Sequence, residues 1–236
     1  MKERWMGYFN TLLTNTCFYR LYYVFYRSRV GDPVRLPRRS DDFYFDGYPR
    51  SGNTYVINLI RHVLQLDRAS YTSHLHSIAG IKMALRMKLK PIVIIRHPKD
   101  SVASYYFTRS SPEAPLNMQL LHRLIQQYSA YYEFVYRKRK GVKIIRFEYV
   151  TKHEPAFIRE IVAWLQTPEM DEPTIAERIG SYKALMKEKE GEKDIKISAL
   201  PNQARSKHTA TTKEELVKAP GFQRALDIYQ RIEKEL

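Results

Sequence analysis

The 236 residues, 44% of them hydrophobic, can bury one substantial core, and length favours a single globular domain over 1–236. Lys and Arg number 40 against 25 Asp and Glu, a formal charge of +15 that attracts polyanions as a class and selects none of them, since a basic surface also serves solubility. The one cysteine, Cys17, excludes an internal disulfide and fits a reducing, cytosolic compartment.

In chain order, residues 1–40 predict a basic, aromatic helical extension. Its apolar stretch at 12–26 is broken by Asn15 and Arg20 and falls short of the roughly 20 apolar residues of a spanning helix. Its aromatic content, with no small-residue cleavage site before Arg27 and Arg29, argues against a secretory leader. A helix there would lay Trp5, Tyr8, Phe9, Phe18, Tyr22 and Tyr23 on the domain's own core or, peripherally, on a membrane surface.

After an extended Pro- and Arg-rich connection at 33–39, Phe43, Tyr44 and Phe45 predict a short strand ending at Gly47 and Pro49. Val56, Ile57, Leu59, Ile60, Val63 and Leu64 recur at helical intervals over 54–66, which puts the 47–53 turn at a helix N-terminus. The same unit recurs downstream: a continuous apolar run at 91–95 predicts a buried parallel strand, then a charged turn at 96–100 and a helix over 101–108. A long aromatic helix over 116–138, a strand over 142–147 and a helix over 155–166 follow. This alternation predicts an α/β fold, a three-layer α/β/α sandwich with a central parallel sheet. The charged run at 187–196 reads as a solvated helix face or loop, and 198–213, lacking clear periodicity, as a loop able to fold over a ligand before an amphipathic C-terminal helix. Loops at 69–88 and 110–117 are left to shape an acceptor pocket.

The chemistry concentrates in the two strand-to-helix turns. Around Gly47-Tyr48-Pro49-Arg50-Ser51-Gly52-Asn53-Thr54-Tyr55, a glycine-containing turn leaves helix N–H groups unpaired at the positive end of the dipole, a cradle for phosphate or sulfate oxygens. Ser51, Asn53 and Thr54 add donors, and Arg50 adds a forked cation. The Gly-Lys-Ser/Thr ending of a nucleoside-triphosphate loop is missing, so neither its phosphate lysine nor its magnesium ligand is supplied, and no metal is expected.

Tyr48-Pro49-Arg50-Ser51-Gly52-Asn53-Thr54-Tyr55 resembles the Tyr-Pro-Lys-Ser-Gly-Thr-Thr-Trp segment with which sulfotransferases hold the 5'-phosphosulfate of 3'-phosphoadenosine 5'-phosphosulfate (PAPS). Arg96-His97-Pro98-Lys99-Asp100, with Ser104-Tyr105-Tyr106 downstream, is similar to that family's Arg-Asn-Pro-Lys-Asp and Ser-Tyr-Tyr, which grip the 3'-phosphate. The resemblance implies a P-loop-like sulfotransferase fold, PAPS as donor with adenosine 3',5'-bisphosphate (PAP) as product, and Arg96 and Ser104 as 3'-phosphate ligands. It also implies His74 as the base: Thr72-Ser73-His74-Leu75 is similar to the family's Lys-Thr-His-Leu in its last two residues, with His76 as a competitor. The lysine of that segment is absent, and Arg50 is the candidate to stabilise the departing group in its place. Tyr55 and Phe147 are the implied adenine-stacking walls. The C-terminal Arg-Lys-Gly and Gly-Asp-Trp-Lys strings are missing, and Arg205 and Lys207 are the nearest substitutes as a lid on the 3'-phosphate.

The expected activity is sulfuryl transfer to a hydroxyl or amine of a carbohydrate, glycolipid or small molecule. Two other classes compete: a nucleotide kinase of the wider P-loop class, against which the missing loop lysine argues, and a non-enzymatic polyanion- or membrane-binding module, to which the charge points. The charge is spread along the chain rather than gathered in one arm, and no specific nucleic acid is indicated.

Overall fold

The computed structural model describes residues 35–110, 115–190 and 203–236. The N-terminal aromatic stretch, Cys17 and the chain from 191 to 202 lie outside the described residues. Four strands, β1 (Phe43–Gly47), β2 (Tyr71–Ser73), β3 (Lys90–Ile95) and β4 (Lys143–Arg146), form one sheet in the order β2-β1-β3-β4. Every pairing is parallel, with Gly47 opposite Ile94 and Ile95 opposite Arg146.

The helices are α1 (Asn53–Val63), α2 (Ile78–Arg86), α3 (Pro98–Arg109), α4 (Met118–Arg137), α5 (Phe147–Lys152), α6 (Glu154–Leu165), α7 (Glu172–Glu190), α8 (Gln203–Lys218) and α9 (Phe222–Glu233). Side chains alternate across the strands, so Phe43, Phe45, Ile92 and Ile94 pack with α1, α6 and α7, while Tyr44, Val93 and Ile95 pack with α2, α3, α4, α8 and α9. The expected three-layer α/β/α arrangement is therefore present. Because β1 leads to β2 on one side and β3 returns on the other, with α1 and α3 on opposite faces, the chain diverges between the C-terminal ends of β1 and β3. Such a switch point is where open α/β sheets form a crevice for ligands.

Several sequence expectations are corrected. The stretch 69–88 is not a loop: Asp67 caps a 3-10 turn, β2 pairs with β1, and Ser77 caps α2 by accepting from Gly80 N. Helix α7, not expected before the charged run, carries Ile175, Ile179, Tyr182 and Met186 into the core at helical spacing, and its continuation to Glu190, with Lys187 and Glu188 exposed, agrees with the solvated helix face read there. Phe147 opens α5 instead of closing a strand. From Gln203 the expected lid loop is the helix α8, whose buried stripe of Thr209, Thr212 and Leu216 shows little hydrophobic signal because two of its members are threonines. Helix α8 lies along α3, tied by a 2.6 Å Lys213–Asp100 ion pair. Among the described residues no helix is long and apolar enough to cross a membrane.

Candidate functional site

The β1–α1 turn is shaped from below. Tyr132 of α4 donates its hydroxyl to Ile94 O at 2.8 Å, accepts from Tyr48 N at 3.1 Å and lies 3.2 Å from Ser51 Oγ, fastening the turn to the end of β3. Ser51 is fully buried, with its hydroxyl 3.3 Å from Ser101 Oγ, and Asn53 Nδ2 donates to Tyr48 O at 2.9 Å. The Ser51 hydroxyl and the Asn53 Nδ2 group, expected as ligand donors, thus hold the turn, and Ser51 N also donates within it to Tyr48 O at 3.1 Å. Sequence reading missed Tyr132; its only signal was the aromatic richness of the long helix.

Arg50 and Gly52 both adopt left-handed backbone, φ 64° and 93°. Gly52 has a second constraint, since a Cβ there would sit 2.2 Å from the Phe147 ring. Gly47 has no room either: its Cβ would lie 2.6 Å from Ile94 O. No side chain caps α1, so its first-turn N–H groups face the crevice without a side-chain acceptor.

The β3–α3 turn brings the second cation. Arg50 Nε donates to Ser104 Oγ at 3.2 Å, and Arg96 Nη1 to Arg50 O at 3.4 Å. The Arg96 guanidinium lies 4.9 Å over the Phe147 ring, and Tyr128 donates to Arg96 O at 2.7 Å. Two turns distant in sequence therefore place Arg50, Arg96 and Ser104 together, with Phe147 as the floor under Arg96 and Gly52.

At the end of β2, His74 Nε2 is 3.3 Å from the hydroxyl of the exposed Thr54, and His74 Nδ1 is 2.9 Å from Ser73 Oγ. Burial first, then the neighbouring His76 charge, hold the His74 imidazole down to about 4, so it is neutral at pH 7. The His76 ring stands edge-on to it at 5.6 Å, with Nδ1 2.7 Å from Gly47 O.

Tyr55 does not offer an open stacking face. It is 8% exposed, and its hydroxyl donates to Glu154 Oε1 at 2.7 Å. Burial, followed by that bond, pushes its phenol up. Phe147 remains half-buried at the crevice, and of Arg205 and Lys207 only the backbone, in the first turns of α8, is described.

The fold and this geometry define an α/β chain in which two strand-to-helix turns meet at the switch point of a parallel sheet. No family model matches the chain, and no curated protein matches it. Among solved structures it is similar to the mouse sulfotransferase SULT7A1 complexed with PAP, at 19% identity and a TM-score of 0.45, over 64% of this chain and 68% of that one.

Proposed function

We propose that the chain transfers a sulfuryl group from PAPS to a hydroxyl or amine acceptor, releasing PAP. The observation that carries this reading is the meeting of Arg50, Arg96 and Ser104 at the switch point, supplied by the two segments whose sequences resemble donor-binding motifs. Arg96 and Ser104 take the 3'-phosphate, the uncapped N-terminus of α1 takes the 5'-phosphosulfate, and Phe147 takes the adenine side. Arg50, between the two turns, offsets charge as the bridging oxygen departs. An imidazole at the end of β2, His74 or His76, receives the acceptor proton. Positioning and electrostatics then carry the in-line transfer.

The acceptor belongs to the carbohydrates, glycolipids or small molecules that a basic enzyme would meet in the cytoplasm or, through residues 1–40, at a membrane surface. Calorimetry with PAP tests the reading. The unmutated chain binds PAP, and Arg96→Ala weakens binding by about 100-fold, the loss of one or two charge-assisted bonds at about 1.5–3 kcal/mol each. No PAP binding by the unmutated chain, or equal binding by Arg96→Ala, refutes it.

A further inference from the structure

We propose that His76, oriented by Asp46, is the base that takes the acceptor's proton, and that His74 is a positioning residue for the first turn of α1. This rests on the sulfuryl-transfer reading of the same site.

The two imidazoles differ in what their ring nitrogens face. His74 has a hydroxyl at each nitrogen, Ser73 Oγ at 2.9 Å and Thr54 Oγ1 at 3.3 Å, so it ties the end of β2 to α1. His76 is held from one side only. Its Nδ1 lies 2.7 Å from Gly47 O and 3.2 Å from the Asp46 carboxylate. Both can only accept, so Nδ1 carries the proton and Nε2 carries the lone pair. Among the described residues no bond to Nε2 is made, and the His76 side chain is 28% exposed, within reach of a bound acceptor.

Asp46 is built for this task. It is fully buried and accepts from Tyr44 OH, from His76 N at 3.0 Å and from Ser77 N at 3.4 Å. These donors fix the buried carboxylate 3.2 Å from Nδ1, whose hydrogen bond goes to Gly47 O, so Asp46 lies where its charge stabilises the imidazolium formed on proton uptake. The groups facing the His76 ring are Asp46 and the Gly47 carbonyl from β1 and His74 from its own segment. Gly47 also opens the donor turn, which puts His76 at the mouth of the sulfate site. The depressed basicity of His74 agrees with this division, since a proton acceptor works best with a pKa near the operating pH.

In the step, the acceptor oxygen or nitrogen attacks sulfur and its bond to sulfur forms. The bond from sulfur to the bridging oxygen breaks, and that oxygen leaves on PAP with the electron pair. The acceptor proton passes to His76 Nε2 and from the imidazolium to solvent.

The test uses the full chain with 35S-labelled PAPS, 2-naphthol and chondroitin as acceptors and transfer to water scored alongside, and PAP calorimetry on every variant. His76→Asn is the informative change. Asparagine tolerates the left-handed φ of 49°, and its amide nitrogen can replace Nδ1 toward Gly47 O, so only the Nε2 function is lost. Expected are a fall in kcat of about 10²–10⁴-fold with PAP affinity kept within threefold, and a smaller fall for Asp46→Asn. His74→Asn raises KM for PAPS more than it lowers kcat. His76→Asn activity within threefold of the parent, a larger kcat loss in His74→Asn, or PAP binding with no 35S transfer by the unmutated chain each overturns the assignment of the base. Absence of PAP binding sinks the sulfuryl-transfer reading itself.

Discussion

The two strand-to-helix turns at the switch point are built in opposite ways. At the end of β1 the chain passes through left-handed Arg50 and Gly52 and enters α1 with no side-chain cap. At the end of β3 it enters α3 through Pro98, and His97 Nδ1 accepts from Lys99 N at 3.2 Å. The first turn keeps its N–H groups for a ligand and bears the conformational cost. The second satisfies its own backbone and, in the proposed function, would meet an anion through the side chains of Arg96 and Ser104. One site is therefore backbone-coded and the other side-chain-coded, and they should fail differently when changed.

The largest expected effect breaks the backbone-coded turn. Gly52→Ala forces a Cβ to 2.2 Å from the Phe147 ring at a φ of 93°. Left-handed strain of about 1–2 kcal/mol adds to overpacking of about 1–3 kcal/mol, so a destabilisation of about 3 kcal/mol is expected in urea unfolding. Because Phe147 also floors Arg96, PAP affinity should fall with stability. A variant as stable as the parent would mean that the ring moves freely and that glycine is not required there.

The same contrast explains what sequence could disclose. Strands β1, β3 and β4 and both turns were legible because a buried parallel strand is a continuous apolar run and a turn before a helix announces itself by Gly, Pro and charge. Strand β2 was not, since Tyr71, Thr72 and Ser73 are too few to show alternation and are a strand only by pairing with Phe43, Tyr44 and Phe45. Helix α8 hid its buried face behind threonines. At the site, Arg50, Arg96 and Ser104 were legible as residues, but their mutual contacts were not. Tyr132 and Asp46 were invisible: a tyrosine in an aromatic helix and an aspartate in a strand gain their roles only when the sheet brings them to Ile94 O and to His76.

A middle-sized effect separates the turns by pH. Only the first is braced by His74, whose imidazole falls from 6.5 to about 4 on folding. Between those values the unfolded chain binds more protons than the folded one, so stability is full above about pH 6.5 and is lost as pH falls toward 4. The shift corresponds, after discounting for partial solvent access, to about 2 kcal/mol. His74→Asn should lose about that much less stability than the parent between pH 7 and pH 4. Carboxylates titrate in both proteins, so the difference between the two curves isolates His74; superimposed curves would show that His74 titrates normally in the folded chain.

The smallest effect probes the side-chain-coded turn. His97→Ala removes the cap on α3 and the ring contact with Tyr229 at 5.2 Å. Cap removal is worth about 1 kcal/mol. His97→Asn, which restores an oxygen acceptor for Lys99 N, should recover most of it. Neither change touches Arg96 or Ser104 directly, so PAP affinity should move by less than about threefold while Tm falls, the reverse of Arg96→Ala, where affinity falls and the fold persists. If His97→Ala instead lowered PAP affinity as much as Arg96→Ala does, the α3 cap would itself be holding the anion, and the division between a backbone-coded and a side-chain-coded turn would fail.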